Sequence, residues 1–118
     1  MDDFKKNVLK VAMRQVVAHD GDGEIGFVRP FVASDFESHL SFIDYAVIPP
    51  GHSIGLHRHG DNEEIYFIVE GTGVMTTNRM EHRVEQGDLV VNRRHWEHGL
   101  RNDSESVLKL LVWEVDCA

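Results

Sequence analysis

The chain has one cysteine, Cys117, so no intrachain disulfide is available to hold it together. That cysteine is next to last and reads as exposed and incidental. No apolar run approaches the ~20 residues that a membrane-spanning helix needs. Cationic residues are scarce: 12 Lys and Arg stand against 20 Asp and Glu, a net charge of −8. Nucleic acid and anionic membrane surfaces reward basic patches, so both are disfavoured as partners. The N-terminal MDDFKKN lacks the apolar region of a signal peptide. Internal repeats and low-complexity tracts are absent as well. These lacks lead to the expectation of a cytoplasmic protein. What remains is ordinary for a globular chain: 118 residues, 42% hydrophobic and 27% charged, enough for one domain around one core.

One stretch stands out, Gly51 to Gly71, GHSIGLHRHGDNEEIYFIVEG. Side chains alternate faces along a strand, so His57 and His59 point the same way, roughly 7 Å apart. Two imidazoles held side by side make a chelate. Neutral imidazole suits Zn, Cu, Fe and Ni, and an added carboxylate extends the choice to Mn. Gly60-Asp61-Asn62 is a turn cluster. Ile65-Tyr66-Phe67-Ile68-Val69 then reads as a strand. The chain therefore turns back after the histidine pair, and the returning strand brings an acid opposite it.

Written as a pattern, the stretch is G-x5-H-x-H-x4-E-x6-G, through His57, His59 and Glu64. It closely resembles the first motif of the cupin superfamily. Gly87, His98 and Asn102 resemble the second, G-x5-P-x-G-x2-H-x3-N, with Arg93 and His95 where its Pro and Gly are expected. The resemblance runs from about Ser41 to Val115. It implies a metal ion held by His57, His59, Glu64 and His98. Glu63 should face the other way and is the alternative ligand only if the turn is counted differently.

The rest of the chain reads as short strands. Met1 to Pro30 is ambiguous: Val8 to Val11 and Gln15 to Ala18 suit edge strands, yet Phe4, Val8, Val11 and Ala12 also fit one helical face. Ile25 to Val32 is a strand, with Pro30 placing it at an edge. Ser34-Asp35-Phe36-Glu37 reads as a loop rather than a helix cap. Leu40 to Ile48 is a strand stopped by Pro49-Pro50-Gly51. Further strands are expected at 64–70, 74–77, 83–84, 89–91, 98–101 and 107–115, with a hairpin turn at Asn78-Arg79. Many short strands with regular turn signals mean an all-β sandwich or barrel. The cupin resemblance narrows this to a small double-stranded β-helix, a jelly-roll barrel over 41–115 with an N-terminal arm over 1–35.

If Glu64 faces inward, Tyr66 and Ile68 do too; if His98 does, so do Leu100 and Asn102. These four form the expected pocket wall around the metal. Between Leu40 and Ile48 the alternation allows either Phe42, Asp44 and Ala46 or Ile43, Tyr45 and Val47 inward. His19, His39, His52 and His82 read as surface or loop residues. His95, just before His98, is a candidate proton shuttle, as is Tyr66. Arg58 and Arg101 should point into solvent or surface ion pairs, and Arg93 and Arg94 are candidates for attracting an anionic substrate, against the alternative of a solvated loop. Ile65, Phe67 and Val69 would face outward, and the last strand is apolar on both faces, which favours a homodimer. The resemblance implies a metal-dependent enzyme on a chelating small molecule, an Fe-, Mn- or Ni-type dioxygenase first. Alternatives are a redox-neutral Zn- or Mn-dependent isomerase, cyclase or lyase, and a non-catalytic module that binds a small ligand.

Overall fold

The computed structural model describes residues 3–118; the first two residues of the N-terminal arm lie outside them. Ten strands follow one another along the described chain: β1 (Arg14–Val16), β2 (Ile25–Val32), β3 (Leu40–Ile48), β4 (Ser53–Arg58), β5 (Asn62–Glu70), β6 (Thr72–Thr77), β7 (Met80–Glu85), β8 (Leu89–Asn92), β9 (Glu97–Arg101) and β10 (Leu108–Asp116). They form a six-stranded sheet in the order β1-β2-β3-β10-β5-β8 and a four-stranded sheet in the order β4-β9-β6-β7. All pairings are antiparallel. The two sheets make the all-β fold expected from the turn spacing, in the jelly-roll form that the cupin resemblance implies. No described helix is long and apolar enough to cross a membrane.

The turn chemistry accounts for the connections. Asn78 and Arg79 have φ of 50° and 71° and join Thr77 to its partner Met80. Two successive positive-φ residues are what a two-residue hairpin between twisted strands demands. Gly71 ends the first motif with φ of 93°, and a Cβ there would come within 2.5 Å of the Val107 carbonyl oxygen. A glycine is therefore needed twice over at that corner.

The core lies between the sheets, where Ile48, Ile68, Met75, Leu100, Leu108 and Leu110 are almost wholly buried. Each such side chain contributes about 1.5–3 kcal/mol relative to exposure.

Two expectations for the N-terminal part fail. Val8 to Val11 forms no strand and no helix; it lies in turns, with Leu9 exposed. Strand β1 covers only Arg14–Val16, because it pairs only with residues 25–27 of β2. Pro30 lies beyond that pairing, at a bulge of β2 against β3, where a missing N–H costs little. The loop at Ser34 contains a single 3-10 turn, Ala33–Asp35, with the Val32 N–H donating to Asp35 Oδ2 at 2.8 Å.

Candidate metal centre

The four residues singled out by spacing and motif meet in space. One donor atom from each of His57, His59, Glu64 and His98 lies within 4.8 Å of every other. His57 comes from β4, His59 from just past its end, Glu64 from β5 and His98 from β9. A bulge between Ile54 and His57 makes this possible. It changes the parity of β4, so that Ile54 and His57 both face the interior while Leu56 is exposed.

The distances fit a shared ion. His98 Nε2 lies 2.9 Å from His57 Nε2 and 3.0 Å from His59 Nε2. Glu64 spans the group, with Oε1 3.4 Å from His98 Nε2 and Oε2 3.4 Å from His59 Nε2. Two metal–nitrogen bonds of about 2.1 Å at a right angle separate their nitrogens by about 3.0 Å. A tetrahedral angle would spread them further. The donor set and its spacing therefore fit an ion whose ligands stand near right angles.

The orientation of the rings agrees. Neutral imidazole carries one N–H and one lone pair, and the partner of one nitrogen decides the role of the other. His57 Nδ1 is 2.8 Å from the Gly55 carbonyl oxygen, and His59 Nδ1 is 2.8 Å from Asn62 Oδ1. Both Nδ1 atoms thus act as donors, leaving Nε2 as a lone pair aimed at the centre. Such outer partners fix metal-ligating histidines in general. Glu114 Oε1 lies 3.6 Å from His59 Nδ1, beyond hydrogen-bond length but near enough to take its N–H if Asn62 were lost.

The electrostatics favour the neutral form at the buried end. Burial, reinforced by the neighbouring imidazoles, holds His98 down to about 2. Burial also lowers His57. His59 is raised, chiefly by its hydrogen bond to Glu64. Of the three imidazoles, His59 is the one whose surroundings favour the charged form. Burial raises the Tyr66 phenol well above its usual range, helped by Glu64 and Asp44, so it is a hydrogen-bond donor and not a base.

Beside the cluster lies a cavity of about 240 Å³ whose wall includes Glu64, Tyr66, Phe42 and Asp44. The open alternative in β3 is thereby decided: Phe42, Asp44 and Ala46 face inward. Of the expected pocket residues, Tyr66 lines this cavity. Ile68 and Leu100 do not; they are packed into the core between the sheets. Asn102 is a structural knot instead. Its Nδ2 donates to the carbonyls of Ile48 (2.9 Å) and Ser106 (2.7 Å), and its Oδ1 accepts from the Ser104 N–H and hydroxyl.

The loop histidine and arginines lie outside the cavity wall. His95 is exposed, with φ of 65°. It stands where the motif expects Gly, and it adopts the left-handed backbone that glycine favours. Arg94 pairs with Asp61 at 2.9 Å, and Arg93 lies over the Trp96 ring. Arg58 and Arg101 form surface pairs with Glu97 and Glu81.

One group escaped the sequence reading. His19 is no bystander: its ring stacks on His57 at 3.5 Å between centroids and 9° between planes, at the edge of the cavity. The loop that carries it is pinned to β4 by the Gly55 N–H, which donates to the Ala18 carbonyl at 3.0 Å. A Cβ at Gly55 would collide with the His19 carbonyl, so this glycine permits the approach.

A jelly roll that draws three histidines and a glutamate together inside it is a small barrel with a candidate metal centre. The chain belongs to the cupin family, whose domain model matches residues 44–114. It is 34% identical over 92 residues to an oxalate-binding protein of Thermotoga maritima, covering 78% of this chain and 76% of that one. It is 36% identical over 66 residues to an uncharacterized protein of Methanocaldococcus jannaschii, where the match covers 56% of this chain and 53% of the relative. This chain thus spans about half of that archaeal relative. Among solved structures it resembles a predicted oxalate decarboxylase of Thermotoga maritima (TM-score 0.90, 22% identity, 93% and 96% coverage). It also resembles a polyketide cyclase of Streptomyces resistomycificus (TM-score 0.78, 15% identity, 97% and 79% coverage). At those identities the likeness is one of fold.

Proposed function

We propose that the chain binds one divalent ion (Fe, Mn, Ni or Zn) through His57, His59, Glu64 and His98 and acts as a metal-dependent enzyme on a small chelating organic acid. An oxygen-using reaction of the Fe, Mn or Ni type is the first reading. The observation that carries it is the convergence of four donors, at right-angle spacing, on the edge of a cavity. When bound, such an ion supplies a Lewis-acidic centre and, if redox-active, access to oxygen chemistry. The chain's own part is to orient the rings through Gly55 and Asn62, to keep His98 neutral by burial, and to offer the Tyr66 hydroxyl as a donor. The 34% identity to an oxalate-binding protein supports small carboxylates as the ligand class. The same relative, named for binding alone, supports a non-catalytic module as a second reading.

An oxygen electrode separates these. Protein loaded with Fe(II), Mn(II) or Zn(II) is supplied with a panel of small carboxylic acids that includes oxalate. Oxygen uptake that accompanies product, is lost with zinc and is abolished by His98→Ala supports the oxygen-using reading. Equal turnover without oxygen and with zinc overturns it in favour of redox-neutral chemistry. Binding without product under every metal leaves the binding module.

The outer face of the large sheet bears on assembly. Cross-strand registers place Tyr45, Leu111, Phe67 and Leu89 in one row and Ile43, Trp113, Ile65 and Val91 in the next. Tyr45 is already covered within the chain, but the β8 end is open, at 64% exposure for Leu89 and 40% for Val91. A continuous apolar face of this kind supports association with a second copy of the chain.

A further inference from the structure

Arg29 supplies the guanidinium in the cavity wall among the described residues. It is rigidly held. Its Nε and Nη2 donate to the two carboxylate oxygens of Asp44 at 2.7 and 3.0 Å. Its guanidinium carbon lies 3.8 Å from the Phe42 ring centroid and 6.0 Å from that of Phe27. A guanidinium has five N–H donors, and this fork uses two, so three are left for another acceptor. Asp44 and Phe42 fix the plane in which those donors point, which favours planar carboxylate recognition. The side chain is 40% exposed, so an incoming anion can reach it, whereas Asp44 is only 14% exposed.

The remaining wall decides what body the anion must have. Apart from Asp44, His19, Glu64 and Tyr66 it is apolar, with Val16, Ile25, Phe27, Ile54 and Val112 among its residues. Asp44 already offsets the charge of Arg29, so a bare anion gains little there. A second anionic group pressed against the apolar wall would lose its hydration without a partner. A flat apolar body loses nothing and removes its own surface from water. The 240 Å³ of space would hold about eight waters at liquid density, which suits a single six-membered ring with one small substituent.

We propose that Arg29 is a specificity-determining residue that takes the carboxylate of a small monoanionic acid with a planar apolar body, the body lying on Phe27, Ile54 and Val112 with its far end toward Glu64. The class of acid rests on the proposed function only for that far end; the Arg29 subsite stands on the cavity alone. It also sets this chain apart from a protein built for oxalate, which has no apolar body.

The test uses benzoate as probe, with neutral benzamide and dianionic oxalate as controls, titrated calorimetrically into chelator-treated protein and into Mn-loaded protein. Benzoate is expected to bind both forms, and benzamide and oxalate to bind the chelator-treated form at least tenfold more weakly. Arg29→Gln should lose at least tenfold in benzoate affinity, and Arg29→Lys should recover part of it, with circular dichroism showing both variants folded at the titration temperature. Benzoate binding that ignores Arg29, or that needs manganese and is unchanged in Arg29→Gln, overturns the proposal: the carboxylate then goes to the ion. Failure of the metal reading looks different. The protein then takes up no manganese, yet benzoate affinity still depends on Arg29.

Discussion

Asn62→Ala tests whether the centre is tuned by hydrogen bonds as well as by its ligands. Asn62 Oδ1 accepts from His59 Nδ1 at 2.8 Å and so keeps the His59 lone pair on Nε2, facing the other donors. Without that acceptor the ring can place its proton on Nε2 and cease to be a ligand. Loss of an outer partner typically costs 10–100-fold in metal affinity, or about 1.4–2.8 kcal/mol. Here Glu114 Oε1, 3.6 Å from the same Nδ1, stands in reserve. The single variant should therefore fall near the low end, about tenfold. The double variant Asn62→Ala/Glu114→Met removes both acceptors and should approach about a hundredfold. Competition with a chelator, using Mn(II) or Co(II), measures both losses. Affinities of single and double variants within about twofold of wild type would refute the assignment of Nδ1 as donor.

Three other outcomes follow from the geometry. In metal-free protein, His98 at about 2 and a lowered His57 mean that the unfolded chain binds protons below pH 6.5 that the folded chain refuses. Stability should fall as pH drops from 7.5 to 5.5, by about 1.4 kcal/mol from His98, offset in part by the raised His59; denaturant titrations giving equal or greater stability at pH 5.5 would contradict this. His95→Gly should stabilise by about 1 kcal/mol, because φ of 65° strains a side chain with a Cβ, and a melting temperature that drops instead would show that the His95 ring contributes packing. Phe67→Glu, in the middle of the outer apolar rows, should convert a dimer to a monomer in light scattering with metal uptake retained, whereas wild type already monomeric at micromolar concentration removes the dimer.

The candidate metal cluster was legible in part because most of its signals are local. His57 and His59 are two apart, and Glu64 follows five residues on, past the point where the chain crosses from the four-stranded to the six-stranded sheet, and faces them from across the interior. His98 lies far along the chain and was reached only through the second motif. Strand β3 shows where local reasoning stops. Alternation permitted two inward sets, and only the registers with β10 and β2 place Phe42 and Asp44 inside. Arg29 was invisible for the same reason, since its meaning depends on Asp44, fifteen residues away on the neighbouring strand. His19 reaches the centre through two consecutive left-handed residues and a close approach to Gly55. Ile68, Leu100 and Asn102 do face inward, yet they lie in the core and not on this cavity, because alternation distinguishes inside from outside but not the core from a cavity. Asn102 ends the second motif for a reason of its own: it ties the 102–106 loop to the end of β3.

Elemental analysis of the protein purified from its native host, beside His98→Ala prepared in the same way, bears most directly on the ion. About one equivalent of a first-row transition metal per chain in the wild type, and almost none in a variant that still melts cooperatively, is the expected result. A wild-type protein free of transition metal that also fails to take one up on titration would contradict it, and the three imidazoles would then be a buried polar cluster.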